Sequence, residues 1–333
     1  KAPDKATGPI SQTDIKGKNG RGKMEIIHDE TEYFSIKTED TVFTGKEGSD
    51  HHTTFTYDKN LDYKFKYIGE FGPLALRVGG GHDFSIENTD IISSGKIKSP
   101  IGNYRNIFYA IELNADINQT TSLTLKKNST ITINSDNSLG FYGNKGQFDN
   151  SGNITTTGEG SHAVVLQNKG SGATGAAKTL TFDNTGNITV NTAGTVGIYA
   201  QDGSQFSHTG SGKKITAGSG AVGIYTTGSG TSGTVSSEIE VQGSTSNKTG
   251  IGVYSDGNSV TTFNTGAKLT LGEGTVGLYS AKNNKFETTF AINGLDTEIG
   301  KKSVLAYFGG AGTSTENTVN ITKNTLQHLN ITK

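Results

Sequence analysis

The sequence predicts an all-β chain: a parallel β-helix of three short strands per coil and about nine coils over residues 71–333, preceded by a charged, β-rich N-terminal cap over residues 1–70. Three observations predict it. Apolar residues are too few for a thick core, one short motif returns along most of the chain, and each return brings two further strand-like pieces with it.

The 333 residues include 47 Gly, 4 Pro, no Cys, no Trp and one Met, with 31% hydrophobic residues. Glycine is thus about twice as frequent as in an ordinary globular chain. Disorder would bring high net charge and few aromatics. Here the net charge is −1, and 12 Tyr and 15 Phe recur in patterned places. A narrow, repeating core satisfies both facts. Near-neutrality without a basic stripe argues against a nucleic-acid ligand. No apolar run approaches the 18 or more residues of a membrane helix, so no direct membrane insertion is expected.

The motif is "VGIY" at Gly197 and Gly223, "IGVY" at Gly252, "VGLY" at Gly277 and "LGFY" at Gly140. Degenerate copies are anchored at Leu74, Ile107, Val164 and Leu305, which makes one unit 24 to 33 residues long. After each anchor comes a middle piece such as "QFDN" (Phe148), "TFDN" (Phe182), "QFSH" (Phe206), "TFNT" (Phe263) or "KFET" (Phe286). A third piece follows, such as "NITT", "NITV", "EIEV" or "KLTL". All are β-branched or aromatic and bounded by Gly, Asn, Asp or Ser, which is strand-and-turn chemistry. No helical stripe of useful length occurs.

Period-two pleating puts Val196, Ile198 and Ala200 on the inner face, with Gly197 and Tyr199 outside. Stacked coils then align Tyr142, Tyr199, Tyr225, Tyr254, Tyr279 and Tyr307 into an outer ladder beside a glycine stripe, interrupted at Leu166. The five middle-piece phenylalanines form an inward ladder on the second wall. Residues 1–70 carry 11 Lys/Arg and 13 Asp/Glu, far denser than the rest, and suit a polar end for open strand edges. The chain starts at Lys1 without a signal peptide and ends still strand-like, which suggests a mature or excised fragment of a longer rod.

The repeated "GTVGIYA", "GAVGIYT", "TGIGVYS" and "GTVGLYS", joined to "FDNSGNITT" and "FDNTGNITV", resemble passenger segments of large type Va autotransporter adhesins, particularly the fusobacterial kind. The resemblance covers about residues 139–310. It implies a right-handed parallel β-helix, displayed outside the cell on a bacterial outer membrane through a translocator barrel absent from this chain. It also implies binding to host-cell or bacterial surface receptors, and it fits the missing cysteines. Trimeric autotransporter heads repeat at about half this unit.

Chemistry finds little purchase in the sequence. No G-x-S-x-G nucleophile turn occurs. "TGSGKKIT" at 209–216 lacks the leading glycine of a phosphate loop. The histidines, His28, His51, His52, His82, His162, His208 and His328, have no metal-ligand spacing. No cofactor, catalytic residue or metal site is expected, and the fragment is read as a monomer. Sparse acids, Asp149, Asp183, Glu238, Glu240, Asp256 and Glu273, leave a polysaccharide-cleaving β-helix as one alternative, with a non-binding stalk as another. The tyrosine ladder is either a rigidifying cover or a platform for a glycan or protein receptor. Two long turns, 167–179 and 226–237, compete with it as binding loops.

Overall fold

The computed structural model describes residues 10–11, 13–29, 33–46, 54–58, 62–66, 74–79, 81, 83–96, 108–114, 121–168, 180–245, 247–281, 289–309 and 329–332, and every regular element among them is a β-strand. The strands form three long sheets that serve as the walls of a parallel β-helix. One coil crosses each wall once. Val196–Gln201 lies in the first wall, Gln205–His208 in the second and Lys214–Ala217 in the third, and the chain then returns to the first wall at Val222–Thr226.

Among the described residues ten coils are stacked in this way, one more than the nine sequence anchors, and the last of them is described only at Val304–Phe308 and Leu329–Thr332. The additional coil is Ile10–Ser11, Thr13–Gly17 and Gly22–Asp29, which pair in parallel with Leu74–Gly79, Asp83–Glu87 and Thr89–Lys96. It lacks the glycine–tyrosine motif. Its signature is instead the alternation of Gly22–Asp29, which buries Met24, Ile26 and His28 between outward neighbours. At about 4.8 Å per coil the rod is roughly 43 Å long. Four antiparallel strands extend the first coil. Thr41–Lys46 pairs with Thr13–Gly17 and Thr54–Asp58 follows it, while Tyr33–Glu39 pairs with Gly22–Asp29 and Asp62–Lys66 follows that.

Inside, like lies over like. Ile131, Ile154, Ile188, Ile215, Ile239 and Leu269 form one column of the third wall, and each is fully buried. Burial of each such side chain contributes about 1.5–3 kcal/mol.

The first wall departs from simple pleating at its glycines. A Cβ on Gly197 would sit 2.5 Å from the Gly223 carbonyl oxygen and 3.2 Å from the Ile215 side chain, and Gly140, Gly223, Gly252 and Gly277 meet the next coil's carbonyl at 2.6–2.7 Å. The glycine column therefore faces the interior, packed on the third wall, and not the outside beside the tyrosines. Ile198 is buried as well, so the alternation slips by one residue and leaves Val196 and Tyr199 both on the outer face.

This slot also corrects the anchors. Register places Ala163 opposite Gly140 and Val165 between Tyr142 and Tyr199, so Val165 and not Leu166 interrupts the ladder. Similarly Ala110, not Ile107, and Ala75, not Leu74, occupy the slot in their coils. A backbone oxygen at that distance selects the smallest side chain, whereas matching by aliphatic letters does not. Leu305 occupies the slot in the last described coil, where no described strand stacks beyond it.

The phenylalanine ladder is shorter than five. Phe148, Phe182 and Phe206 are in register, and the first two rings stack at 5.0 Å. Phe141 of the first wall stacks on Phe148 at 3.8 Å. The next residue of the column is Gly233, whose Cβ would fall inside the Phe206 ring. Phe263 lies two residues along, over Val235, and Phe286 is outside the described residues. Hence the stretch 226–237 is not a free loop. Its Ser232–Val235 is the second-wall strand of its coil, and the Phe206 ring fills the room that an aromatic there would need.

Beside the aromatics runs a polar column, Asn150, Asn184 and His208, all fully buried. Asn150 Nδ2 donates to Asn184 Oδ1 at 2.7 Å, Asn184 Nδ2 donates to His208 Nδ1 at 2.9 Å, and His208 Nε2 donates to the Glu238 carbonyl at 2.9 Å. Each asparagine Oδ1 also accepts from the N–H of a turn glycine, Gly152 or Gly186. The corner's backbone donors are thereby satisfied away from water.

Two stability predictions follow from these contacts. Gly223→Val forces a branched side chain against the Gly252 carbonyl and is expected to cost about 1–3 kcal/mol or more in urea unfolding followed by circular dichroism. Asn184→Ala strands the Asn150 amide and the His208 Nδ1, and the expected loss in the same assay is about 2–5 kcal/mol.

Candidate functional site

The outer faces of the three walls differ in chemistry. On the third wall, Lys214 pairs with Glu240, and Lys268 lies 2.8 Å from Glu298 and 3.9 Å from Glu238. On the second, Ser122 donates to Asp83 and Ser207 donates to Asp183. Such exposed pairs contribute about 0–1 kcal/mol each and leave a hydrated surface.

The first wall carries two apolar columns instead. One is aliphatic: Val196, Val222, Ile251, Val276 and Val304 are in parallel register, all at least partly exposed. The other contains the tyrosines. Register runs Arg77, Glu112, Tyr142, Val165, Tyr199, Tyr225, Tyr254, Tyr279 and Tyr307. Because the pleat slips at each glycine, residues three apart on a strand share the outer face, so the columns stand about 10 Å apart across the wall.

Along the column Tyr142 is buried, Tyr199 to Tyr279 are partly exposed, and Tyr307, in the last described coil, is the most exposed. Tyr142 is 5% exposed and donates to Gln167 Oε1 at 3.0 Å, in a small outer cluster with Leu139 and Val165, whereas Tyr307 is 48% exposed. At the early end the ladder position is filled by an ion pair, Arg77 Nε to Glu112 Oε2 at 2.9 Å.

Ring geometry decides what the column can offer. Tyr225, Tyr254, Tyr279 and Tyr307 stack nearly parallel, with centroids 4.7, 4.9 and 5.0 Å apart and interplanar angles of 21°, 7° and 29°. Tyr199 meets Tyr225 edge-on at 4.6 Å, and His162 meets Tyr199 edge-on at 6.3 Å. The stacked π-faces cover one another, so the column presents ring edges and hydroxyls outward. Ring edges are electropositive and prefer oxygen acceptors.

Two aspartates border the column where the first wall turns into the second. Tyr225 donates to Asp256 Oδ2 at 2.8 Å. Burial, then the hydrogen bond and charge of Asp256, hold the Tyr225 phenol well above its usual range. Burial, then Asp256 and Asp202, raise Tyr199, while burial, then Asp256 and Tyr279, raise Tyr254. These hydroxyls remain protonated and act as donors. Among the described residues, Tyr199, Tyr254, Tyr279 and Tyr307 have no hydrogen-bond partner for theirs.

The other candidates are dispersed. His28, His162 and His208 lie in separate coils, and His51, His52, His82 and His328 are outside the described residues. No three His, Cys, Asp or Glu side chains converge on one point among the described residues. Lys214 of the glycine-rich "TGSGKKIT" turns to Glu240. Of the stretch 167–179, residues 169–179 lie outside the described residues. The aliphatic column was the part that sequence reasoning missed. Its signal is the first residue of every "VGIY" copy, which pleating alone assigns to the core.

The fold and this surface define a parallel β-helix with one apolar, tyrosine-bearing wall. Comparison with protein-family models, curated proteins and solved structures yields no match to the chain.

Histidine burial makes the rod acid-sensitive. Burial lowers His162 from 6.5 to about 4, burial outweighs the opposing Asp29 charge to lower His28 to about 4, and burial also lowers His208. Each group is neutral when folded and takes up a proton when unfolded, so stability is full above pH 6.5 and falls as pH drops below it, down to about 4 for His28 and His162. The expected slope in urea unfolding is about 1.4 kcal/mol per pH unit for each histidine. His162→Asn, which keeps an acceptor for the Val196 N–H now bonded to His162 Nδ1 at 3.1 Å, is expected to remove one histidine's share of it.

Proposed function

We propose that this chain is the adhesive segment of a bacterial surface protein, exported and displayed outside the outer membrane. It binds host-cell or partner-bacterium receptors through the outer face of the first wall. The observation that carries this reading is the contrast between walls. Two are covered by paired charges and hydroxyls, and the first bears two continuous apolar columns that protein surfaces do not ordinarily leave in water without use. The repeats that resemble autotransporter passengers, and the absence of cysteine, support the export route. A rigid stack of coils suits display, because it holds the strip at a constant spacing along its length.

Between the two receptor chemistries, the ring geometry favours protein. A sugar ring packs on an aromatic face, and the faces of Tyr225, Tyr254 and Tyr279 are taken up by neighbouring tyrosines. Edges, hydroxyls and branched aliphatics suit a polypeptide surface, with its carbonyls and apolar side chains.

The test is attachment of the purified rod to a panel of mammalian cells and bacteria. Saturable attachment is expected, and Tyr199→Ala combined with Tyr225→Ala is expected to reduce it about tenfold or more while the circular dichroism of the coils is retained. Undiminished attachment by that variant removes the first wall from consideration.

A further inference from the structure

On the reading that the first wall is the adhesive face, we infer that its strip recognises a proline-rich segment in the polyproline II conformation, with basic residues beside it. The inference rests on a match of periods. Two coil steps along the ladder, from Tyr225 to Tyr279, span about 9.6 Å. A polyproline II helix completes one turn of three residues in about 9.3 Å, so over four coils the two patterns drift apart by only about 0.6 Å. An extended strand repeats a side chain on one face every ~6.8 Å. An α-helix repeats every ~5.4 Å and drifts by about 2.4 Å over four coils. The strand's repeats fall between coils except at every third one, so of these conformations polyproline II alone meets a coil at each of its repeats with so small a drift.

The donors and charges agree with the same partner. Polyproline II has no internal hydrogen bonds, and its carbonyls are left free to accept. The strip sets a row of tyrosine hydroxyls, Tyr254, Tyr279 and Tyr307, that have no partner among the described residues, beside an aliphatic column that includes Ile251 and Val276. Proline-rich segments dock on aromatic-lined surfaces at low entropic cost, because the ligand is already stiff. Asp202 and Asp256 add negative charge at the edge of the column, which favours arginine or lysine in the partner.

The probe is a fluorescein-labelled peptide of nine prolines with two arginines at one end, titrated with the whole chain and read by fluorescence anisotropy. The comparison peptide keeps the arginines and replaces proline by glycine and serine. Saturable binding of the proline peptide is expected, at least about tenfold tighter than the comparison. Tyr254→Phe combined with Tyr279→Phe keeps the stacked rings and removes two donors, and is expected to weaken binding about tenfold. Asp256→Asn is expected to weaken it about threefold and to reduce its salt dependence. Equal binding of both peptides, no saturable binding, or indifference to the phenylalanine pair overturns the inference. If the rod attaches to cells through the first wall yet ignores the proline peptide, the adhesive role stands and this partner class falls. If the rod binds the peptide but no cell, the adhesive role falls alone.

Discussion

The rise of one coil onto the next governs the molecule. Adjacent backbones stand about 4.8 Å apart, so any side chain repeated at one slot must coexist with its own image above and below. Each slot therefore selects its residue by what an endless column of that residue does. Isoleucine columns interlock, aromatic columns stack, and asparagine columns hydrogen-bond along their length. Where a carbonyl of the next coil leans over the strand, at Gly140, Gly197, Gly223, Gly252 and Gly277, only a very small side chain is accommodated.

That last slot shapes the surface as well as the core. A strand with strict alternation would bury Val196, Ile198 and Ala200 together and show a lone tyrosine outside. The inward glycine breaks the alternation, so the motif turns two of its four residues outward and makes a strip where pleating alone makes a single line. The adhesive reading and the backbone packing thus share a cause.

The interior shows how columns end and how the chain compensates. The aromatic run stops at Gly233, and the Phe206 ring from the coil before occupies the vacated room. The polar column stops at His208, whose Nε2–H closes the chain of donors on the Glu238 carbonyl, so that no member is left with an unused bond at its end. Beyond it Val235 and Phe263 continue the corner as plain hydrocarbon. At the last described coil the same logic leaves Val304, Tyr307, Phe308 and Ile331 exposed, because no described coil covers them.

The sequence by itself determined the class of fold, the three-strand coil and the alignment of Tyr199, Tyr225, Tyr254, Tyr279 and Tyr307. The information is local and repeated: short β-branched pieces, turn residues between them, and one motif that needs no distant partner to be recognised. Only the tertiary structure decided that the glycines face inward, that Val165 breaks the ladder, that Phe263 leaves its column, and that Gly22–Asp29 is a strand of a further coil. Each of those depends on a neighbour 23 to 67 residues away, a carbonyl, a ring or a whole strand, whose distance and direction no letter pattern contains. The same holds for the tyrosine faces: spacing along the chain aligns the rings, but their tilt against one another decides whether faces or edges meet the solvent.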